Sequence, residues 1–109
     1  MLNIVLLCQF GASTGMLAKR IEEAALAENV DVTINAYGVT EIGRVINGAD
    51  IILLGPQMRF QLKEFEESYA EKNVPFMVID TLDYGMMDGK KVFHCVVEKI
   101  KEFEGGNVK

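Results

Sequence analysis

Cys8 and the residues after it are the part of this sequence best suited to chemistry. The segment VLLCQFGASTGML carries the cysteine out of an apolar, strand-like run into a loop that contains Gly11, Ala12, Ser13 and Thr14. Such a loop can direct several backbone N–H groups to one point, and a helix that starts there favours an anion by about 0.5–2 kcal/mol. A cysteine at this place is suited to hold negative charge, as a thiolate or as a thiol-bound phosphoryl group. A cysteine that ends a buried strand can equally be a small packed apolar residue, so the local sequence leaves both roles open.

The second cysteine, Cys95, and the only histidine, His94, are neighbours in a predicted C-terminal helix. We expect Cys95 to be a packing residue at the margin of the apolar stripe of that helix, and His94 to be a structural residue beside it. Two cysteines without a CxxC or Cys/His ligand spacing predict no metal site, no disulfide framework and no thioredoxin-type redox chemistry. The sequence also indicates no cofactor.

Length, charge and hydropathy exclude several classes of protein. A chain of 109 residues is expected to form one domain, and a net charge of −5 without a visible basic patch argues against nucleic-acid binding. The apolar run at the N-terminus is too short for a secretion signal, lacks a positive segment before it, and has Leu7 where a cleavage site needs a small residue. No later stretch approaches the length of a membrane span. We therefore expect a cytoplasmic protein with free thiols and no direct membrane insertion.

Four short apolar runs predict β-strands, and helical patterns lie between them. The first, third and fourth runs are nearly continuous, as expected for strands buried on both faces of a parallel sheet. The second run alternates and is typical of an edge strand. The predicted strands are residues 3–7, 32–37, 50–55 and 75–80.

Apolar residues at helical spacing predict one helix after each strand. The second of these helices is short and is predicted to end at the Asn47–Gly48 pair. The four apolar stripes, in chain order, are Leu17, Ile21, Ala24 and Ala25; Ile42, Val45 and Ile46; Met58, Leu62, Phe65 and Tyr69; and Val92, Val96, Ile100 and Phe103, widened by Phe93 and Val97.

This alternation of strands and helices predicts an α/β fold of three layers, similar to the sandwich of the low-molecular-weight phosphatases. We expect a four-stranded parallel sheet of order 2-1-3-4 with helices on both faces. A single domain is expected over residues 1–104, and a flexible tail over 105–109. Ligands of such sheets bind beyond the carboxyl ends of the strands, at the switch point between the two halves. With this strand order, the loop that begins at Cys8 lies at that point.

Low-molecular-weight tyrosine phosphatases and arsenate reductases place a Cys-x5-Arg loop at this point of the fold. Their arginine binds phosphate through two hydrogen bonds and stabilises the transition state. In this chain the arginine position is Thr14, and no Asp-Pro general acid follows any predicted strand. Rapid hydrolysis of a phosphocysteine is therefore not expected, although a phosphatase-like hydrolase remains an alternative function.

Two further families place other groups in this loop. Flavodoxins hold the FMN phosphate in a loop rich in hydroxyl groups and glycine, but this chain is short for that family and offers only Tyr37 and Tyr84 to stack on the flavin ring. An FMN-binding module is thus a second alternative. Response-regulator receivers need acidic residues where this chain has Cys8 and Gly55.

Three segments of the chain together resemble the enzyme IIB components of the bacterial phosphoenolpyruvate-dependent sugar phosphotransferase system (PTS), in the lactose/cellobiose (N,N'-diacetylchitobiose) family. LLCQFGASTGML resembles the phosphorylation loop of that family, and DIILLGPQMRF resembles its third strand with the Gly-Pro-Gln loop. VIDTLDYGMMDGKKV is similar to its fourth strand, its Tyr-Gly turn and the Asp-Gly pair before the last helix. The resemblance covers essentially the whole chain. One departure is Gly15, since the family loop often reads Ser-Thr-Ser and ends there on a hydroxyl.

The resemblance implies a transferase that acts as a phosphoryl carrier in sugar transport. Cys8 would accept the group from a phosphohistidine of the IIA protein and pass it to a sugar bound by the membrane protein IIC. The family implies a β-glucoside or a disaccharide such as cellobiose, chitobiose or lactose. Backbone N–H groups of residues 9–15, with the hydroxyls of Ser13 and Thr14, would hold the phosphoryl oxygens. Partners would dock on the rim around Cys8, where Phe10 and Met16 would be exposed apolar residues.

The residues implied to bind the phosphoryl group are Gln9, Phe10, Gly11, Ala12, Ser13, Thr14 and Gly15. Those implied to form the wall of the site and the partner rim are Gly55, Pro56, Gln57, Arg59 and Tyr84. Arg59 would contact a partner or the phosphate, or else be an ordinary solvated arginine.

Overall fold

The sheet at the centre of the molecule has four parallel strands. A computed structural model describes residues 1–8 and 15–107, with side chains through residue 105. The strands are β1 (Leu2–Cys8), β2 (Val32–Gly38), β3 (Ile51–Leu54) and β4 (Phe76–Val78). Their order is β2-β1-β3-β4, and all three neighbouring pairs are parallel. The predicted strand order and the edge position of β2 are confirmed.

Helices connect the strands and follow the last one. The α-helices are α1 (Gly15–Ala27), α2 (Ile42–Val45), α3 (Leu62–Ser68), α4 (Thr81–Gly85) and α5 (Gly89–Asn107). Short 3₁₀ helices cover Val39–Glu41, Pro56–Gln61 and Ala70–Lys72. Within residues 1–8 and 15–107, none of the helices combines the length and the apolar character needed to cross a membrane.

Each face of the sheet buries its own apolar core. Ile4 and Leu6 of β1 pack with α1 and α5 on one face. Val5 and Leu7 pack with α2 and α3 on the other. Successive side chains of a strand point to opposite faces, so a strand covered on both sides must be apolar at every position. The expected helices on both faces are confirmed.

The third helical stripe forms two helices rather than one. Pro56 opens the 3₁₀ helix Pro56–Gln61, in which the N–H of Met58 donates to the carbonyl of Gly55 over 2.9 Å. The α-helical geometry begins only at Leu62. Met58 and Phe65 are nevertheless buried on the predicted face, because the apolar spacing is similar in both helix types.

The segment before α5 contains a helix that the sequence pattern does not predict. α4 has five residues, and the one that it buries is Asp83, so no apolar stripe marks it in the sequence. Asp80 caps the N-terminus of α4: its side-chain oxygen accepts the N–H of Leu82 over 2.8 Å.

At the C-terminal end of α5, helical geometry continues through Asn107, so the first part of the predicted tail is helical. Flexibility of residues 105–109 stays a prediction.

A close approach of two helices fixes where α5 begins. A Cβ added to Gly89 would lie 2.4 Å from both the carbonyl carbon and the carbonyl oxygen of Arg20 in α1. Real Cβ atoms do not come so near to backbone, so only glycine allows this contact. The Asp-Gly pair before the last helix is thereby explained by packing.

Candidate functional site

Cys8 is the last residue of β1, one of the two central strands of the sheet. β1 pairs with β2 on one side and with β3 on the other. The cysteine is 2% exposed. It lies at the edge formed by the carboxyl ends of the parallel strands, where ligands of such sheets bind. The predicted placement of Cys8 at the switch point agrees with this topology.

The direction of the Cys8 side chain follows from the pleat of β1. Ile4 and Leu6 face α1 and α5, and the alternation places Cys8 on the same face. Gly38 is the register partner of Cys8 on β2. On the opposite side, the pairing of Leu7 with Leu54, continued by one residue, places Gly55 next to Cys8. The cysteine therefore has a glycine beside it on each neighbouring strand.

The Gly-Pro-Gln loop is tied to the end of β1 by the backbone. The N–H of Gly55 donates to the carbonyl of Leu7 over 3.1 Å, so the chain stays in register with β1 beyond the last residue of β3. Pro56 follows at the first position of the 3₁₀ helix. These contacts hold two of the predicted wall residues, Gly55 and Pro56, at the edge of the sheet beside Cys8.

The side chain of Gln57 folds back over Gly55. A Cβ added to Gly55 would lie 2.6 Å from Oε1, 3.2 Å from Cδ and 3.6 Å from Nε2 of Gln57. The space that a larger residue would fill at position 55 is thus taken by the carboxamide of Gln57. Gln57 is itself exposed on its outer side, which leaves it open to solvent as well as adjacent to the site.

Arg59 and Tyr84 lie on different parts of the rim. Arg59 is exposed and lines an open depression with Pro56, Gln57, Phe60 and Thr81. Within the described part of the chain, no carboxylate forms an ion pair with Arg59. Tyr84 is half-buried on α4 and packs against the core between the sheet and α1 and α5, the face to which Cys8 points.

Most of the predicted phosphoryl-binding loop lies outside the described residues. Those predictions concern Gln9, Phe10, Gly11, Ala12, Ser13 and Thr14. Gly15 is described and begins α1, whose first turn holds no acidic residue. Met16, predicted as an exposed apolar residue of the rim, is 59% exposed. The positive end of a helix whose first turn holds no carboxylate favours an anion.

Cys95 differs from its predicted role. It is exposed rather than packed, because its margin position on α5 turns it away from the buried face formed by Val92 and Val96. Partial burial of the thiol, the carboxylates of Asp83 and Glu98, and a smaller contribution from Asp80 raise the pKa of Cys95 above its usual value. A thiol with a raised pKa is a weaker nucleophile at neutral pH, so Cys95 is not suited to catalysis.

His94 has the structural setting that the sequence predicts. Its Nε2 lies 2.8 Å from Oε2 of Glu28, a contact that joins α5 to the turn after α1.

A second contact joins α4 to α5. The carboxylate of Asp83, a residue that is 4% exposed, lies 3.4 Å from the ammonium of Lys91. Among residues 1–8 and 15–107, no three His, Cys, Asp or Glu side chains cluster as a metal site would require.

Gly38 is the site residue that sequence reasoning misses. The second strand is predicted to end at Tyr37, so Gly38 counts there as part of the following loop. Only the register of β2 on β1 shows that it lies beside Cys8. A glycine directly after a predicted edge strand is the one signal available, and it is a weak one.

Comparisons with known proteins identify the family of this chain. A family model described as "PTS system, Lactose/Cellobiose specific IIB subunit" matches residues 3–94. The chain is 36% identical over 93 residues to the oligo-beta-mannoside-specific EIIB component of Bacillus subtilis (strain 168), which covers 85% of this chain and 90% of that protein. It is also 36% identical over 94 residues to the galactose-specific EIIB component of Lactococcus lactis subsp. cremoris (strain MG1363), covering 82% and 87%.

A solved structure of a IIB component has a similar fold. The cellobiose-specific phosphotransferase IIB component of Borrelia burgdorferi is 40% identical, with a TM-score of 0.75 and coverage of 93% of each chain. The similarity thus extends over sequence, strand order and nearly the full length. This chain belongs to the lactose/cellobiose-specific IIB family of the phosphotransferase system, whose members are phosphotransferase components of sugar transport.

Proposed function

We propose that Cys8 carries a phosphoryl group between two partners of the phosphotransferase system. It accepts the group from a phosphohistidine of a IIA protein and passes it to a sugar bound by a membrane IIC protein. The observation that supports this most is the position of Cys8, at the carboxyl end of a central strand with a glycine on each side. Family membership indicates the class of reaction, phosphoryl transfer, and the position of Cys8 is the reason for proposing its Sγ as the atom that accepts the group.

Each of the two transfers exchanges one bond to phosphorus. In the first, the Cys8 thiolate attacks the phosphohistidine; the S–P bond forms, the N–P bond breaks, and the imidazole takes up the proton that the thiol gave to solvent. In the second, a sugar hydroxyl attacks the same phosphorus, loses its proton, and releases the thiolate. Covalent catalysis of this kind divides one long-range transfer into two steps between bound partners.

Backbone groups are proposed to hold the phosphoryl oxygens. The N–H groups of residues 9–15 and the hydroxyls of Ser13 and Thr14 would surround the group, with Gly55 and Pro56 as one wall. These are fixed dipoles that need no reorganisation during transfer. Tyr84 would close the site from α4, and Arg59 would meet the partner or the phosphate from the depression that it lines.

The absence of an arginine at position 14 favours transfer over hydrolysis. A phosphatase of this fold uses that arginine to stabilise the transition state for attack by water, and this chain has Thr14 there. A phosphocysteine held without it is proposed to last long enough to meet the second partner.

The sugar is proposed to be a β-glucoside or a disaccharide such as cellobiose, chitobiose or lactose. Relatives equally similar to this chain are named for different sugars, an oligo-β-mannoside and galactose. Because the sugar would bind to IIC, this chain is expected to contact only the hydroxyl that is phosphorylated. Its place of action is proposed to be the cytoplasm, at the inner surface of the membrane.

Intact mass after incubation with phosphoenolpyruvate and the upstream carrier proteins tests this function. The wild-type protein and Cys95→Ser are expected to gain the mass of one phosphoryl group, whereas Cys8→Ser gains none. Stable phosphorylation of Cys8→Ser by the same donor would contradict the proposal. The same preparations are expected to show negligible turnover of an aryl phosphate. Rapid turnover would favour the hydrolase alternative, and a yellow cofactor bound after purification would favour the FMN-binding one.

A further inference from the structure

Two glycines flank Cys8 on the face of the sheet to which its thiol points. Gly38 is its register partner on β2, and Gly55 follows the last residue of β3 with its N–H bonded to Leu7. In a parallel sheet such neighbours present their side chains on the same face. A Cβ on Gly38 would meet no described atom within 4 Å. A Cβ on Gly55 would meet Gln57. Among the residues that the structure describes, nothing fills the space beside Gly38, and the carboxamide of Gln57 fills the space beside Gly55.

Backbone conformation does not explain why position 55 is glycine. Its φ of −60° and ψ of 152° are values that any L residue adopts. A side chain at position 55 would displace the carboxamide of Gln57, because Oε1 lies 2.6 Å from the position of an added Cβ. Gly55 thus leaves a space on the face of the sheet to which Cys8 points, and the carboxamide of Gln57 fills that space.

The segment that carries Gln57 is held at both ends. Gly55 before it donates its N–H to Leu7 over 3.1 Å, and Met58 after it donates its N–H to Gly55 over 2.9 Å. The Met58 side chain is 4% exposed and anchors the segment in the core beneath. The backbone that carries Gln57 is thus fixed beside Gly55, so only the side-chain torsions of Gln57 have to be ordered when it binds a ligand.

We propose that the Gln57 carboxamide donates a hydrogen bond from Nε2 to an oxygen of the phosphoryl group on Cys8. This inference rests on the proposed function of Cys8 and adds a side chain to the binding of the phosphorylated state. A carboxamide offers two N–H donors without a charge. It therefore stabilises the phosphocysteine without the strong positive charge by which an arginine promotes attack by water.

The equilibrium between phospho-IIA and phospho-Cys8 reports this hydrogen bond. A hydrogen bond to a charged group contributes enough that its loss lowers the equilibrium constant for phosphorylation by roughly tenfold or more. Gln57→Met keeps the length of the side chain and removes the donor, so we expect that decrease. Gln57→Glu replaces the donor with a carboxylate near the phosphoryl group and is expected to lower the constant further. Thermal unfolding of both variants should match the wild type, because Gln57 is exposed.

The matched control is Gln61→Met, on the same 3₁₀ helix but away from the Gly55 space. We expect it to leave the equilibrium constant unchanged. Gly55→Ala should act like Gln57→Met, because its Cβ displaces the carboxamide, and the double variant should be no worse than either single one. Non-additivity of that kind is a sign that both changes remove the same interaction.

Two failures of this experiment have different meanings. Gln57→Met with the same equilibrium constant as Gln61→Met overturns the role of Gln57 and leaves the carrier function of Cys8 intact. A wild-type protein that takes up no phosphoryl group from phospho-IIA overturns the proposed function itself, and the inference with it.

Discussion

The two cysteines of this chain have opposite surroundings, and these predict opposite roles. Cys8 ends a central strand, is 2% exposed and has glycine on both flanks. Cys95 is exposed on α5, where burial and the carboxylates of Asp83 and Glu98 raise its pKa. A nucleophile needs space for the group that it accepts and an environment that tolerates charge. The surroundings of Cys95 disfavour a charged thiol, so Cys8 is the nucleophile that we propose.

The raised pKa of Cys95 predicts slow alkylation that accelerates at high pH. In a Cys8→Ser background, iodoacetamide should modify folded Cys95 more slowly than the unfolded chain at pH 8, since less of the folded thiol is ionised. Glu98→Gln removes one of the carboxylates that raise this pKa, so it should speed the reaction by up to about fivefold, the limit for an exposed charge pair. Glu102→Gln, one turn further along α5, is the control and should have no effect. An equal acceleration in both variants would contradict this account.

Most elements of the fold could be predicted from the sequence because they carry an apolar pattern. Continuous runs predict β1 and β3 as buried strands, and stripes at helical spacing predict α1, α2, α3 and α5. β4 is a strand as predicted, but Met77 and Val78 are only half-buried, because β4 is an edge strand. α4 could not be predicted, because its buried residue is Asp83 and it carries no apolar stripe.

The candidate site was less accessible to sequence reasoning. Strand register places Gly38 beside Cys8. The resemblance already places Gln57 in the wall of the site, but the fold of its side chain over Gly55 is seen only in the structure. Neither is a property of local sequence. The exposure of Cys95 was missed for a related reason, since the margin of an apolar stripe can fall on either side of the boundary between core and solvent.

The contact between α1 and α5 predicts a large difference between two glycines of the same helix. Gly89→Ala would place a methyl group 2.4 Å from the backbone of Arg20, and relief of that overlap should cost about 1–3 kcal/mol of unfolding free energy. Gly105→Ala meets nothing within 4 Å and should be neutral or stabilising by up to about 1 kcal/mol. Urea denaturation of the two variants measures the difference. Equal stability would show that α5 begins elsewhere relative to α1.

Several exposed apolar residues lie on the segments that follow the strands of the sheet. Of the six large apolar side chains found exposed among the described residues, Met16, Phe60, Leu82 and Met86 lie on elements that follow the carboxyl ends of strands. Leu26 lies at the far end of α1. A IIA or IIC protein that reaches a cysteine at this edge must cover the surface around it, so we expect these four residues to form its docking surface.

Phe60 is the most exposed of the four docking residues, at 80%, and gives the sharpest test of that surface. Phe60→Ser should raise the KM for phospho-IIA by roughly tenfold, as expected for an aromatic residue central to an interface, with no loss of thermal stability. Leu26→Ser is the matched control, because Leu26 is also exposed, at 62%, but lies at the opposite end of the molecule. Unchanged KM for Phe60→Ser, or an equal rise for Leu26→Ser, would show that the partner docks elsewhere.

The central claim is that Cys8 is the residue that becomes phosphorylated. Locating the phosphoryl group by peptide mass spectrometry tests this claim most directly. The wild-type protein is phosphorylated through its carrier proteins, digested and sequenced by fragmentation at a pH that preserves S–P bonds. We predict the added mass on Cys8 in the N-terminal peptide and on no other residue. Phosphorylation of His94, Cys95 or Ser13 instead would contradict the account.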